Sequence, residues 1–111
     1  MTTATVASPA NDEALSRVLA HYTVVDGSAS LLEARVIGRN GSDGASLGAI
    51  VRATVARHNG SVDVADERVS YLSATCPVPS FIITQAGVAL SMPRADGEVT
   101  WRAEIEALST T

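Results

Sequence analysis

Residues 46–58, Ser-Leu-Gly-Ala-Ile-Val-Arg-Ala-Thr-Val-Ala-Arg-His, decide what kind of fold this chain makes. Leu47, Ile50, Val51, Thr54, Val55 and His58 recur at steps of three and one, which lines them along one face of an α-helix. Asn59-Gly60 follows at once, and both residues tolerate the left-handed conformation that closes helices. The stretch therefore predicts a helix with its apolar side on the core and with Arg52 and Arg57 projecting into solvent.

Working outward, Asn11 is a candidate N-cap, and Asp12-Glu13 would sit at the positive end of a helix dipole. Leu15, Val18, Leu19 and Tyr22 then recur at spacings of three and four, predicting a first helix that stops near His21 or Tyr22. Residues 1–10 are mostly Thr, Ala and Ser with Pro9, a composition expected to remain a disordered tail ahead of a single domain over 11–111. Between the two helices, Tyr22-Thr23-Val24-Val25 leads through the turn pair Asp26-Gly27 to the apolar run Leu31–Ile37, which predicts a hairpin. Residues 38–44, Gly-Arg-Asn-Gly-Ser-Asp-Gly, read as a loop.

Beyond Gly60 the period changes to two. Val62 and Val64 alternate with Asp63, Asp66-Glu67 supplies a turn, and Val69 and Tyr71 share a face of the next strand. Cys76-Pro77-Val78-Pro79 must interrupt any sheet, because proline has no N–H to give a ladder. Residues 81–92 and 98–108 predict two further strands; in the second, Val99, Trp101, Ala103, Ile105 and Ala107 alternate with charged residues, as in a sheet with one wet face. The expected architecture is α+β: two helices packed on one face of a largely antiparallel sheet of about five to six strands.

With 111 residues, 46% of them apolar, the chain is sized for one domain. Its net charge of −4 offers no basic surface for a run of phosphates, so nucleic acid is excluded as an expected partner. All 8 basic residues are arginine, which removes P-loop, Schiff-base and lysine-general-base chemistry. Cys76 stands alone, so no intrachain disulfide can form. The first ten residues lack a charged start and an apolar stretch, and no run approaches the roughly 20 residues that cross a bilayer. These features predict a cytoplasmic protein without a membrane partner. With only Tyr22, Tyr71, Phe81 and Trp101 as aromatics, the core is aliphatic and thin, which favours burial against a second copy in a homodimer.

Little chemistry converges. His21 and His58 each fall at the expected end of a helix, where the dipole accounts for them, and neither has a His or carboxylate at i+4; no metal and no cofactor is expected. No Gly-x-Ser-x-Gly elbow occurs. The glycine-rich loop entering the second helix is the best candidate ligand site, with Asp43, Gly44, Ser46, Gly48 and His58 as its residues. An anion would sit on backbone N–H groups at that helix's N-terminus, whereas an apolar pocket between the central helix and the sheet would have Asp43, His58 or Cys76 at its mouth. Asp26, Glu33 or Asp63, found facing inward with a raised pKa, would instead indicate an enzyme.

Two partial resemblances bear on function. Residues 47–67, with Ile50-Val51-Arg52 in a helix, His58-Asn59-Gly60 at its end, then Val62 and Val64, and with Pro77 beyond, resemble the ATPase domain of sensor histidine kinases. The glycine box survives only as Gly44-Ala45-Ser46-Leu47-Gly48, and the Asp-x-Gly-x-Gly element is absent, so the resemblance implies a degenerate ATPase-like module in signalling. The order of a helix, the turn Val25-Asp26-Gly27-Ser28-Ala29 and a central helix after the glycines of 40–44 is also similar to hot-dog-fold thioesterases. There Asp43-Gly44-Ala45 stands where the family has His-Gly-Gly, and Arg52 falls near its helical acid, which implies at most an acyl-binding relative. The expected function is thus a non-catalytic regulatory or protein-interaction domain, met by a protein partner or a small apolar or anionic ligand. The alternative is a small α+β enzyme or carrier with a pocket between central helix and sheet.

Overall fold

The deciding stretch is a strand. In the structure, a computed structural model, residues 2–8, 16–93 and 99–110 are described, with side chains from residue 18 onward. Among these residues there is no helix, which overturns the α+β expectation. The described residues form eight strands: β1 (Thr2–Ser8), β2 (Ser16–Thr23), β3 (Ala29–Asn40), β4 (Ser46–His58), β5 (Ser61–Leu72), β6 (Ser80–Ile83), β7 (Gly87–Pro93) and β8 (Val99–Ser109). Five make one antiparallel sheet in the order β1-β8-β3-β4-β5, and three make a second in the order β2-β7-β6. Their apolar faces meet in one core, so the architecture is a two-sheet β-sandwich.

Why β4 extends rather than coils follows from its residues. Leu47, Ala49, Val51, Ala53 and Val55 are buried, and Ser46, Gly48, Ile50, Arg52 and Thr54 alternate with them on the other face. Leu47, Val51 and Val55 are common to the two periods, because a step of four satisfies both. The alanines between them carry the distinction. Ile50, Val51, Thr54 and Val55 are β-branched, lose rotamer freedom in a helix, and pack well on a pleat. The neighbours settle the matter: β3 buries Leu32, Ala34 and Val36 in the same alternation and pairs with β4 from Ala29↔Ala56 to Arg39↔Ser46.

The first expected helix fails differently. Its start at Asn11, Asp12, Glu13 and Leu15 lies outside the described residues. Its second half is β2, which pairs with β7 through a register shift between Val18 and Ala20. That bulge turns Leu19 and Ala20, consecutive in sequence, both into the core while Val18 stays exposed, and so imitates helical spacing. Thr2–Ser8, within the expected tail, is laid along β8 as β1.

Two expected hairpins also change. Asp26-Gly27 joins β2 to β3, but these strands belong to different sheets; the turn is a crossing between layers, with Gly27 at φ 83° donating to the Arg57 carbonyl at 2.8 Å. Asp26 in turn accepts from the Gly60 N–H at 3.1 Å. Asn59 (φ 51°) and Gly60 (φ 80°) form the two-residue β4–β5 turn, a hairpin signal rather than a helix stop. Asp66-Glu67 is not a reversal: β5 runs through it, and the strand absorbs the pair as a bulge with Asp66 at φ 54°. Glu67 Oε2 then accepts from the Phe81 N–H at 2.7 Å, tying β5 to β6 across the layers.

The single strand expected over 81–92 is two, β6 and β7, folded back on each other. Gly87 begins β7 where a Cβ would collide with the Tyr22 carbonyl oxygen. In β8, Val99, Trp101, Ala103 and Ile105 are buried in strict alternation. Cys76, Pro77, Val78 and Pro79 lie in the connector between β5 and β6. No helix among the described residues is long and apolar enough to cross a membrane.

Candidate binding face

Residues paired across a sheet share its face, so the registers specify what the five-stranded sheet turns away from the core. One row holds Glu106, Glu33, Arg52 and Arg68 on β8, β3, β4 and β5; the next holds Glu104, Arg35, Ile50 and Tyr71. Leu31 is opposite Leu108 beyond the first row, and Ile37 is opposite Arg102 beyond the second. This outer face is therefore neither a plain solvated surface nor an apolar one.

Its charges are largely satisfied from within. Glu33 takes Arg52 Nε at 2.7 Å on one carboxylate oxygen and Arg35 Nε at 2.9 Å on the other. Arg35 also reaches Glu104 at 3.3 Å and Glu106 at 3.2 Å. The two guanidiniums, Arg35 first and then Arg52, hold the Glu33 carboxyl below the usual carboxylate range, and Glu33 raises Arg35 in turn. A carboxylate so held is ionised at neutral pH and has no proton to give.

Past Ile37 the face sinks into two adjoining shallow depressions, of about 660 and 410 Å³, which share Ile37, Ser46 and Leu47 in their walls. The larger extends over Gly38 and Gly41 to Arg39, Thr100 and Arg102. The smaller extends over Gly48 to Ile50, Tyr71 and Ser73. Glycine creates the trough: at position 48 a strand residue whose side chain would stand on the outer face has none, and an added Cβ would meet only the Val36 carbonyl oxygen at 3.7 Å. Ser73 pins this floor by accepting from the Gly48 N–H through Oγ at 2.9 Å and donating its own N–H to the Gly48 carbonyl.

The residues singled out from sequence are divided by this geometry. Ser46 and Gly48 do line the depressions. Asp43 and Gly44 lie in the β3–β4 turn, where Asp43 Oδ1 accepts from the Ala45 N–H at 2.8 Å and Gly44 holds φ 73°; no helix N-terminus is there to hold an anion. His58 is at the opposite end of β4 beside Asn59, with 3.2 Å between its Nε2 and the amide nitrogen. His21 is exposed in β2 rather than at a helix end. Arg52 is solvent-facing as expected, but Arg57 is half-buried and donates to the Val24 carbonyl at 3.2 Å.

Cys76 is buried, its thiol pushed up by desolvation, and Sγ lies 3.2 Å from the Pro77 carbonyl oxygen, to which it donates. Asp26 and Asp63 are exposed, and Glu33 faces outward with a lowered rather than a raised pKa. No group of His, Cys, Asp and Glu among the described residues could hold a metal ion. The sequence reading missed Ile37, Arg39, Tyr71, Thr100 and Arg102, because a shared face depends on strand register; the alternation around Trp101 was the one signal that pointed to Thr100 and Arg102. No family model matches the sequence, and no curated protein matches it either.

Proposed function

We propose that this domain is a non-catalytic protein-interaction module that binds through the outer face of its five-stranded sheet. The observation that carries this reading is the exposure of Ile37 (61%), Leu31 (52%), Leu108 (74%) and Tyr71 (48%) around a cluster in which Arg35 and Arg52 are paired with Glu33, Glu104 and Glu106 within the face. Apolar side chains bordered by paired charges are the composition of a surface that sheds water at little electrostatic cost. The chemistry of the titratable groups agrees: Cys76 is held as a thiol and Glu33 as a carboxylate, so neither is tuned as a nucleophile or a general acid. The hot-dog alternative required a pocket between a central helix and the sheet, and that helix is β4.

The test is site-directed photo-crosslinking in the cells that produce the protein. A photoreactive phenylalanine analogue at position 37 or 108 is expected to trap a discrete protein partner, whereas the same analogue at Ile82, exposed on the other sheet, traps none. Equal yields from both sheets, or none from either, overturn the reading.

A further inference from the structure

We infer that the trough on this face is a recognition groove for an extended peptide segment that pairs an acidic residue with apolar ones, a carboxylate bound between Arg39 and Arg102. The inference rests on the interaction reading above and names the chemistry of the partner.

The basic end comes first. Arg39 pairs with Thr100 and Ile37 pairs with Arg102, so the two arginines are diagonal neighbours on one face, about 7–8 Å apart at the backbone. Thr100, opposite Arg39 and two residues before Arg102, shares that face. Among the described residues neither guanidinium has an ion-pair or hydrogen-bond partner. This contrasts with Arg35 and Arg52, whose donors are engaged by Glu33, Glu104 and Glu106. Among the described residues, a chain of net charge −4 thus leaves two forked cationic donors unpaired at one end of a depression of about 660 Å³. Guanidinium forks match a carboxylate with two parallel hydrogen bonds.

The apolar end follows from the missing side chain at Gly48. Ile37 on β3 and Ile50 and Tyr71 on the far side leave between them a floor of bare backbone, into which an apolar side chain would fit. From Arg102 on β8 to Tyr71 on β5 the trough crosses four strands, or about 14 Å at the usual strand spacing. An extended chain covers that length in about four residues. The groove is shallow and long rather than enclosed, the shape of a peptide track rather than of a small-molecule cavity. The charge of the free arginines decides for an acidic segment.

The experiment is selection of a displayed random octapeptide library on the immobilised domain and on its R39E/R102E variant, followed by affinity measurement with the synthetic peptide that is most enriched. The expected result is enrichment of sequences with Asp or Glu within two positions of Leu, Ile, Val or Phe. Such a peptide should bind R39E/R102E at least about tenfold more weakly. Gly48→Leu, whose Cβ would meet only the Val36 carbonyl oxygen at 3.7 Å and whose side chain would occupy the floor, should weaken it comparably, with thermal unfolding showing both variants folded. Enriched sequences that are neutral or basic, or that bind R39E/R102E within about twofold of the parent, overturn the groove while leaving the interaction reading in place. Displacement of the peptide by equimolar hexanoate also overturns it, since the ligand would then be a small carboxylate. Enrichment of nothing on the parent domain overturns the groove, and the crosslinking experiment then decides the interaction reading separately. Sedimentation of the unliganded domain as a dimer that R39E/R102E dissociates would assign the groove to a second copy and likewise overturn the proposal.

Discussion

Trp101 occupies the space that a side chain at Gly38 would need. The two residues are directly paired across β8 and β3, and a Cβ built on Gly38 would lie 2.5 Å from Cε3 and 2.6 Å from Cζ3 of the indole. The ring is buried and fixed, so it cannot swing aside as a surface side chain would. Gly38→Ala is expected to cost about 1–3 kcal/mol through overpacking, read as a lower midpoint in urea with unchanged slope. A second variant, G38A/W101L, should recover part of the loss; no recovery would detach the penalty from the indole.

The Glu33 network should make the domain acid-sensitive. Its native pKa lies below the unfolded one, so the stabilisation is complete above about pH 4.3. It is lost as the pH falls through the depressed native value. Thermal unfolding of Glu33→Gln is therefore expected to fall below that of the parent at neutral pH and to converge with it in acid. A gap independent of pH would remove the ion pairs as its cause.

Gly60 sits at φ 80° in the two-residue turn between β4 and β5, a conformation that a β-branched residue adopts only under strain. Gly60→Val is expected to destabilise by about 1–2 kcal/mol. Gly48→Ala, in an ordinary strand conformation where the new Cβ would make only a van der Waals contact with the Val36 carbonyl oxygen at 3.7 Å, should be close to neutral or mildly stabilising. Chemical denaturation of the two side by side checks both signs.

Cys76 is buried and its thiol is pushed towards the protonated form. Alkylation by iodoacetamide at pH 8 is expected to be much slower in the folded protein than in denaturant. Equal rates would place the thiol at the surface.

Ile37 is mostly exposed, so Ile37→Asp should leave the free energy of unfolding within about 0.5 kcal/mol of the parent while abolishing capture through the outer face. Loss of folding with loss of capture would make Ile37 a structural residue.

The strands with one wet face were legible from alternation alone, as Val99–Ala107 shows, because exposed and buried positions there differ sharply in polarity. Ser46–His58 was not, because its outer face carries Gly48, Ile50 and Thr54 beside Arg52, and so lacks a polar comb to reveal the period of two. Leu19-Ala20 misled through a bulge, a feature of pairing rather than of local sequence. The site followed the same rule. Ser46 and Gly48 were found for a reason that does not hold, as the entrance to a helix. Arg39 and Arg102 could be brought together only by the β3–β8 register.

That register also imposes an order of assembly. β3, β4 and β5 are consecutive and can zip together as soon as they leave the ribosome, but the other flank of β3 is matched by β8, which follows every other strand. Until Val99–Ser109 emerges, the flank from Ser30 to Asn40 stands open beside the apolar row Leu32, Ala34 and Val36, a template for any stray strand. Nascent chains stalled or cleaved before β8 should therefore be sticky in proportion to their lifetime, and slower, cooler synthesis should favour soluble protein only if the last strand is present to seal the seam.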